Sequence, residues 1–579
     1  MGDVAYEFGP FRLEPDSRRL LCDGHRVPLT PKAVETLLVL VRNPQRVVSK
    51  RELIDAVWPS THVEEIGLIR NISVLRKALG SRSPGGTFIE TVPGRGYRFV
   101  AGVTAVPSAS PRAGEHHPVV AVLPLKRIGG TEGDEYLGLA IADALIARLS
   151  ALRTLVVRPT NAVRLYGSPR QDPIAAGRAL RADWVLDGCL HAQGHRLRAT
   201  VQLVDVERGA VVWAGTCDEP TADVFALEDS IAGRVAEVVT ARLTDDDRLR
   251  LAKRHTVSLE AHEWYLKGRY YWNRRTEEGL RRAIECFNAA IAADPRDALA
   301  YVGLADAFTL LGTVVYGAFR RRDVWPRARA AAERALDIDP QLAEAHASLA
   351  FIAFRHDWDW AAAERGFRRA IELNPHYATA RQWFAYFLST RGRHAEALRE
   401  IREAQQLDPL SLPIATGAGR LLYFAGRYAE AAAECRKAIE IDATFAAAWL
   451  DLGLVYLQLG EFDQAIEALQ RAVDLSGGGH IPLVHLGHAC AVSGHLERAR
   501  AIREEVRRLS ARLDIAPADL AVLHLGFGET ADALACLQRA YDERDGFMVL
   551  LKVEPLLAPL RAEPVFQDLL RLLDGPSPP

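Results

Sequence analysis

The sequence predicts a multidomain α+β chain, with a small mixed domain at the N-terminus, a compact α/β domain in the centre and an all-helical solenoid at the C-terminus. Three observations carry that reading. Residues 63–100 set an amphipathic helix, rich in Arg, Asn and Ser, directly before a hairpin turned on glycines. Residues 118–245 alternate short apolar runs with helical spacing, as an α/β domain requires. From Glu260 onward the chain repeats itself. A length of 579 residues implies several domains rather than one core.

In the N-terminal domain, residues 8–27 alternate apolar and polar side chains around turn signals at Glu14-Pro15-Asp16 and Cys22-Asp23-Gly24, which predicts a small antiparallel sheet. Thr30 and Pro31 suit the cap and first turn of a helix that buries Val34, Leu37, Leu38 and Val41 and ends at Asn43-Pro44. Ser49 caps a second helix over 50–57, closed by Trp58-Pro59. In the third helix Ile66, Ile69, Ile72, Leu75 and Leu79 are expected on one face, with Gly80 as its stop. Arg70, Asn71, Ser73, Arg76 and Lys77 fill much of the remainder. Arg suits guanine edges, Asn suits adenine edges, and further cations meet phosphates. Two strands at 87–92 and 97–100 follow, joined by Pro93-Gly94-Arg95-Gly96 with Arg95 at the tip.

This order of parts, with LRKALG and TVPGRGYRF, resembles the C-terminal DNA-binding domain of OmpR/PhoB-type response regulators, which ToxR/CadC-like activators share. The resemblance implies a winged helix whose third helix enters the major groove of double-stranded DNA. It places Arg70, Asn71, Ser73 and Val74 at groove-facing positions, makes Arg76 and Lys77 candidates for phosphate or base contact, and assigns Thr91 and Arg95 to the wing. Two helix positions often basic in that family are Ser73 and Val74 here, and a wing position often Arg is Pro93, so the target sequence is not inherited. Family members often bind direct repeats, which implies dimerisation on DNA. No receiver domain is expected before residue 1 and no membrane helix afterwards, so input comes from the rest of the chain.

The overall charge does not mark a nucleic-acid binder, with 72 basic against 74 acidic residues. Residues 1–103 alone carry 15 Lys/Arg and 11 Asp/Glu, a local excess of four that suits a small DNA-binding module. The N-terminus lacks a signal peptide, no apolar run is long enough to span a bilayer, and the seven cysteines are scattered without a CxxC pair. A cytoplasmic protein without disulfides, metal or cofactor is expected.

Residues 104–117, rich in Pro, Ala and Ser, read as a linker, and His116-His117 as solvated side chains rather than metal ligands. The central domain, 118–245, is expected in the order β-α-β-α-β-β-β-α, with strands near 119–125, 155–158, 184–191, 196–205 and 211–216 and helices near 137–152, 173–181 and 225–243. It is similar to the small α/β domain of TolB N-terminal regions, which also occurs between signalling modules and repeat arrays in bacterial regulators. It has no phosphate loop, GxGxxG, HExxH or GxSxG. Asp183, Asp187, His191 and His195 recur every four residues, but around a strand and turn rather than on a helix. A structural or sensing role is expected, and no catalysis.

In the array, units close at Pro295, Pro340, Pro375, Pro409, Ala443 and Gly477, the last four intervals being 35, 34, 34 and 34 residues. That period identifies tetratricopeptide (TPR) repeats. Residues 444–477 carry Trp449, Leu452, Gly453, Tyr456, Ala465, Leu469 and Ala472, in which small Gly453 and Ala465 let two helices approach around the large side chains. The first unit has Trp264, Gly268, Tyr271, Ala283, Phe287 and Ala290, and an insertion at 313–325 is expected as an exposed loop. The array is placed at 258–545, with 546–579 capping its open end. Its concave groove is expected to take a protein or peptide, with Arg381, Gln382 and Arg420 as candidate contacts. The aromatic-acidic run His356–Trp360 reads as packing of a turn.

Together these readings predict a one-component transcription regulator. Its winged helix binds promoter DNA, and its α/β plus TPR body senses a protein, peptide or small ligand and alters occupancy or RNA polymerase recruitment. The alternative is a non-catalytic signalling scaffold that uses the TPR groove for assembly.

Overall fold

The computed structural model describes residues 4–575 apart from 15–18, 23–24, 28, 30, 58–64, 81–87, 108–116, 129–136, 153, 168–170, 194–195, 221–223, 241–243, 245–246, 249–250, 252–255, 257, 274–276, 313–320, 512 and 514. The chain forms two compact units, Met1–His116 and His117–Pro579.

The first unit opens with strands β1 (Val4–Phe8), β2 (Phe11–Glu14), β3 (Arg19–Cys22) and β4 (His25–Val27), paired antiparallel in sequence order. Helix α1 (Pro31–Val41), strand β5 (Val47–Ser49), helix α2 (Lys50–Val57) and helix α3 (Glu65–Leu79) follow. Strands β6 (Ile89–Val92) and β7 (Gly96–Phe99) form the hairpin, and β7 also pairs with β5. A Cβ at Gly96 would lie 2.1 Å from the Val48 carbonyl oxygen, so only glycine lets the hairpin run this close to β5. Phe8, Phe11, Phe88 and Phe99 pack with ring centroids 5.0 to 6.2 Å apart and join the N-terminal sheet to the base of the hairpin.

One expectation changes here. Thr104–Pro107, assigned to the linker, is strand β8, which pairs with β1 and completes a five-stranded sheet. The β-branched Thr104 and Val106 outweigh the local Pro and Ala content once an open edge is available. The remaining linker residues 108–116, with His116, and the expected caps at Thr30 and Trp58-Pro59 lie outside the described residues.

The second unit begins with the α/β domain: β9 (Val119–Val122), β10 (Lys126–Ile128), α4 (Leu137–Ser150), β11 (Val156–Val157), α5 (Thr160–Val163), α6 (Pro173–Ala179), β12 (Trp184–Gln193), β13 (Arg196–Asp205), β14 (Ala210–Pro220) and α7 (Val224–Val239). The sheet order is β11-β9-β12-β13-β14, with β10 also on β12. The expected helices and strands all appear, and β10 and α5 are additions too short for periodicity to reveal.

Eight antiparallel helix pairs follow among the described residues. They are α8 (Leu259–Asn273) with α9 (Glu277–Ala293), α10 (Ala298–Gly312) with α11 (Arg321–Ile338), α12 (Ala343–Ile352) with α13 (Trp360–Leu373), and α14 (Ala378–Thr390) with α15 (His394–Leu407). Then come α16 (Leu412–Phe424) with α17 (Tyr428–Ile441), α18 (Ala446–Leu459) with α19 (Phe462–Leu475), α20 (His480–Val492) with α21 (Leu496–Ser510), and α22 (Pro517–Gly526) with α23 (Thr530–Asp542). A Cβ at Gly268 would meet the Phe287 ring at 2.5 Å and one at Gly453 would meet Leu469 at 2.6 Å, which is the close approach the repeat pattern requires. The Asp or Asn that closes a unit accepts from the backbone N–H two residues on: Asp294 from Arg296, Asp339 from Gln341, Asn374 from His376 and Asp442 from Thr444. The repeat marker is therefore a turn device.

The insertion before α11 is shorter as a loop than expected, because Val324 and Trp325 are buried in the helix and Trp325 stacks on His356 at 5.8 Å. Residues 313–320 lie outside the described residues.

The α/β domain is docked on the array through polar groups. Arg158 donates from Nη1 to the carbonyls of Gln406 and Leu407 (both 2.6 Å), from Nε to Leu180 and from Nη2 to Arg181 (both 2.8 Å). Arg269 of α8 donates to Asp143 of α4 at 2.9 Å, and buried His262 meets buried Glu228 at 2.9 Å. Burial pushes the Asp408 carboxyl up to about 7, with Arg158 opposing, and lowers Arg158 to about 10. Burial and the adjacent His117 ring, 5.3 Å away, lower His376 to about 4.

Candidate nucleic-acid interface

Helix α3 packs on α1 and α2 through Leu68, Ile72, Leu75 and Leu79, all buried. Those four sit at spacings of four, three and four, which hold one stripe on a helix turning ~100° per residue. Ile69 breaks from the expected apolar face and is 49% exposed. Repeated spacings of three carry Ile69 about 60° off the stripe. The helix stops at Gly80, whose φ of +61° ends the ladder and whose N–H still bonds Arg76 O at 3.0 Å.

The side opposite the stripe presents Arg70, Ser73, Val74 and Lys77, all exposed, with Val74 at 37%. Among the described residues nothing pairs with Arg70, Lys77 or the exposed hairpin-tip Arg95. The tip is shaped by Gly94 at φ +71° and by a bond from Arg95 N–H to Val92 O at 3.0 Å.

Asn71 and Arg76 lie on the flanks of that face and have partners inside the domain. Asn71 Nδ2 donates to Thr36 Oγ1 of α1 at 3.2 Å. Arg76 donates to Ile89 O from Nε (3.1 Å) and Nη2 (2.9 Å), and from Nη2 to Thr91 Oγ1 at 2.7 Å. Arg76 and Thr91 therefore fix the hairpin against the helix. The second helix is set by a reciprocal cap: Glu52 N–H donates to Ser49 Oγ at 3.2 Å and Ser49 N–H to Glu52 Oε2 at 2.8 Å. That bond from Ser49 holds the Glu52 carboxyl below its usual range. Sequence reading missed Ile69 as a surface group, and the strict four-three-four stripe was the signal that could have found it.

The array candidates differ. Arg381 donates to Glu400 at 2.7 Å and to Pro375 O at 3.0 Å, and Gln382 Nε2 donates to Pro413 O at 2.8 Å. Arg420 is an ion-pair partner of buried Asp451. The polar ends of all three serve the scaffold. In the central domain Asp183 accepts from Val119 N–H at 2.8 Å, buried Asp187 pairs with Lys126 at 2.9 Å, His191 is exposed, and His195 lies outside the described residues. Among the described residues no helix is long and apolar enough to cross a membrane.

Residues 24–99 match the family described as transcriptional regulatory protein, C terminal. Residues 116–234 match the second domain of HilA/YgeH-like transcriptional regulators. Residues 265–315 and 422–477 match tetratricopeptide repeats. The transcriptional regulator HilA of Salmonella typhimurium is 24% identical over 412 residues, 70% of this chain and 70% of its own length. A putative adenylate cyclase 3 of Rhizobium meliloti is 27% identical over 236 residues, 41% of this chain, and this chain spans only 32% of that relative. The DNA-binding domain of E. coli CadC is 27% identical and wholly covered by 18% of this chain, with a TM-score of 0.17. The chain thus joins a DNA-binding domain of the OmpR/PhoB-type transcriptional-regulator class to a HilA/YgeH-like second domain and a TPR array.

Proposed function

We propose that this protein is a cytoplasmic, non-catalytic transcription regulator whose α3 lies in the major groove of promoter DNA. The observation that supports it is the open face of Arg70, Ser73, Val74 and Lys77, whose two cations have no partner among the described residues. Arg70 is assigned to a base edge, Ser73 and Val74 to the groove floor, and Lys77 and Arg95 to phosphates. Asn71 reaches a base only by giving up Thr36, and Arg76 with Thr91 positions the wing. The TPR array takes a protein partner, and that event alters occupancy or RNA polymerase recruitment. Binding as a dimer on repeated half-sites compensates for the sparse cation count on α3.

Genome-wide occupancy of the tagged full chain, beside an Arg70→Ala variant, tests this reading. Discrete peaks that vanish in the variant are expected. A folded chain that spreads evenly over DNA, with or without Arg70, would overturn it.

A further inference from the structure

The array already carries the chain's own C-terminus on its third, fourth and fifth helix pairs. After α23 the chain turns through two 3-10 segments, Gly546–Leu550 and Pro555–Leu560, into helix α24 (Pro564–Asp574). This tail does more than cap the last repeat. Tyr423 of α16 donates to Glu554 at 2.6 Å, and Arg544 donates to Asp357 O at 3.3 Å. Trp360 Nε1 donates to Leu573 O at 3.0 Å, and Arg391 Nη2 to Asp574 Oδ1 at 2.6 Å. Those partners come from the third, fourth and fifth helix pairs, more than a hundred residues earlier in the chain.

Both parts of the tail enter the main core of the array, the second through fewer side chains. Met548, Leu551, Leu557 and Leu560 of the first part are buried and belong to the main core of the array. Helix α24 adds Phe566, Leu569 and Leu573 to that core at a spacing of three and four, with Leu570 partly buried against it, and leaves Val565 44% and Leu572 50% exposed. Three buried apolar side chains do not by themselves outweigh the ordering of eleven residues, so α24 depends on its polar anchors at Trp360 and Arg391 as well. What the scaffold offers at the far end is general. The Trp360 indole N–H takes a free terminal carbonyl of a helix, and the Arg391 guanidinium, 4.5 Å from the Trp360 ring centroid, takes an acid beside it. Neither contact reads a particular sequence.

We infer that Trp360 and Arg391 form a receptor for the C-terminal end of an amphipathic helix, that α24 is its resident occupant, and that a protein partner with an acidic-ended, leucine-rich helix engages the array by replacing α24. The inference rests on the reading of the array as a protein-binding surface, and not on the DNA contacts. It gives this part of the array a stated ligand chemistry: apolar side chains at positions i, i+3 and i+7, then a carboxylate. It also makes the free site available only when α24 leaves.

Hydrogen exchange on the intact full chain reads the first half of this. Amides of α24 are expected to exchange at least about 100-fold faster than those of α22 and α23 and of Met548–Leu551, as a locally opening segment does. Exchange in step with α22 and α23 would make α24 an integral cap and overturn the proposal. A labelled peptide of residues 562–575 reads the second half. It is expected to bind a full chain carrying Phe566→Asp and Leu569→Asp at least about tenfold more tightly than the unaltered chain, whose site is filled. Adding Arg391→Glu is expected to remove that gain. Equal peptide affinity in the two chains, or affinity indifferent to Arg391→Glu, would also overturn it. Peptide capture by a chain that ignores promoter DNA would leave this inference standing and sink the regulator reading, and selective DNA binding without peptide exchange would do the reverse.

Discussion

The exposed face of α3 and the inner groove of the TPR array were both expected to be binding surfaces, and they are built in opposite ways. On α3 the cations Arg70 and Lys77 stand without partners among the described residues, and apolar Ile69 and Val74 remain exposed beside them. In the array Arg381, Gln382 and Arg420 spend their polar atoms on Glu400, Pro413 O and Asp451. The apolar surface beside Trp360 is covered by α24. An Arg left unpaired is free to meet DNA at little desolvation cost, whereas an Arg buried with a carboxylate is committed to the fold. On the proposals above, the first surface meets its ligand as it stands, and the second exchanges one occupant for another.

This difference predicts which substitutions act on folding and which on binding. The largest effect is expected at Arg420. Arg420→Ala strands buried Asp451 and should cost about 3–5 kcal/mol of array stability, seen as an early melting transition, while promoter binding by the separate N-terminal unit keeps its sequence preference. Arg70→Ala comes next. It should lose about 1–3 kcal/mol of specific DNA affinity with no change in melting temperature, as read by titration at fixed salt. Arg76→Ala falls between the classes, since it breaks the bonds to Ile89 O and Thr91 that fix the wing. A loss of about 1–2 kcal/mol in domain stability should accompany weaker DNA binding, and a stable variant with unaltered affinity would show that the wing does not need this tie.

A separate expectation, in which two shifts partly cancel, is a pH dependence at the junction of the α/β domain and the array. His376 is lowered from 6.5 to about 4 by burial and by His117, so the folded chain binds fewer protons and stability falls as pH drops from 6.5 towards 4. Asp408 is raised from 3.8 to about 7 by burial, so the folded chain keeps a proton and stability falls as pH rises from 3.8 through 7. The two trends oppose one another between about 4 and 6.5. His376→Asn should leave a decline with rising pH, and Asp408→Asn a decline with falling pH. Thermal melts from pH 4 to 8 read both, and identical profiles in the two variants would dismiss the assignment.

Much of this was legible in the residues because it depends on local rules. Ser49 caps α2, Gly80 stops α3, Gly96 allows the hairpin to meet β5, and Gly268 and Gly453 sit where two helices touch. The illegible parts are long-range. Thr104–Pro107 reads as linker until β1 offers an open edge. Asp408 carries the same repeat signature as Asp294 or Asp442, and only the fold brings Arg158 over it. The fold-back of 546–574 onto Trp360, Arg391 and Tyr423 left no periodic trace, since its contacts join unlike segments far apart in sequence. Asn71 and Arg76 have the right residue types for DNA, but their angle on the helix points them at Thr36 and Thr91.

The most direct test of the central claim compares affinities of the full chain for a DNA site selected from random sequence and for its shuffled counterpart, at one salt concentration, with Arg70→Ala and Arg381→Ala alongside. Salt must be fixed because phosphate contacts alone bind any sequence. A preference of at least about 100-fold for the selected site is expected, largely lost in Arg70→Ala and retained in Arg381→Ala. Selection that recovers no preferred site, or a preference that survives Arg70→Ala and fails in Arg381→Ala, would contradict it.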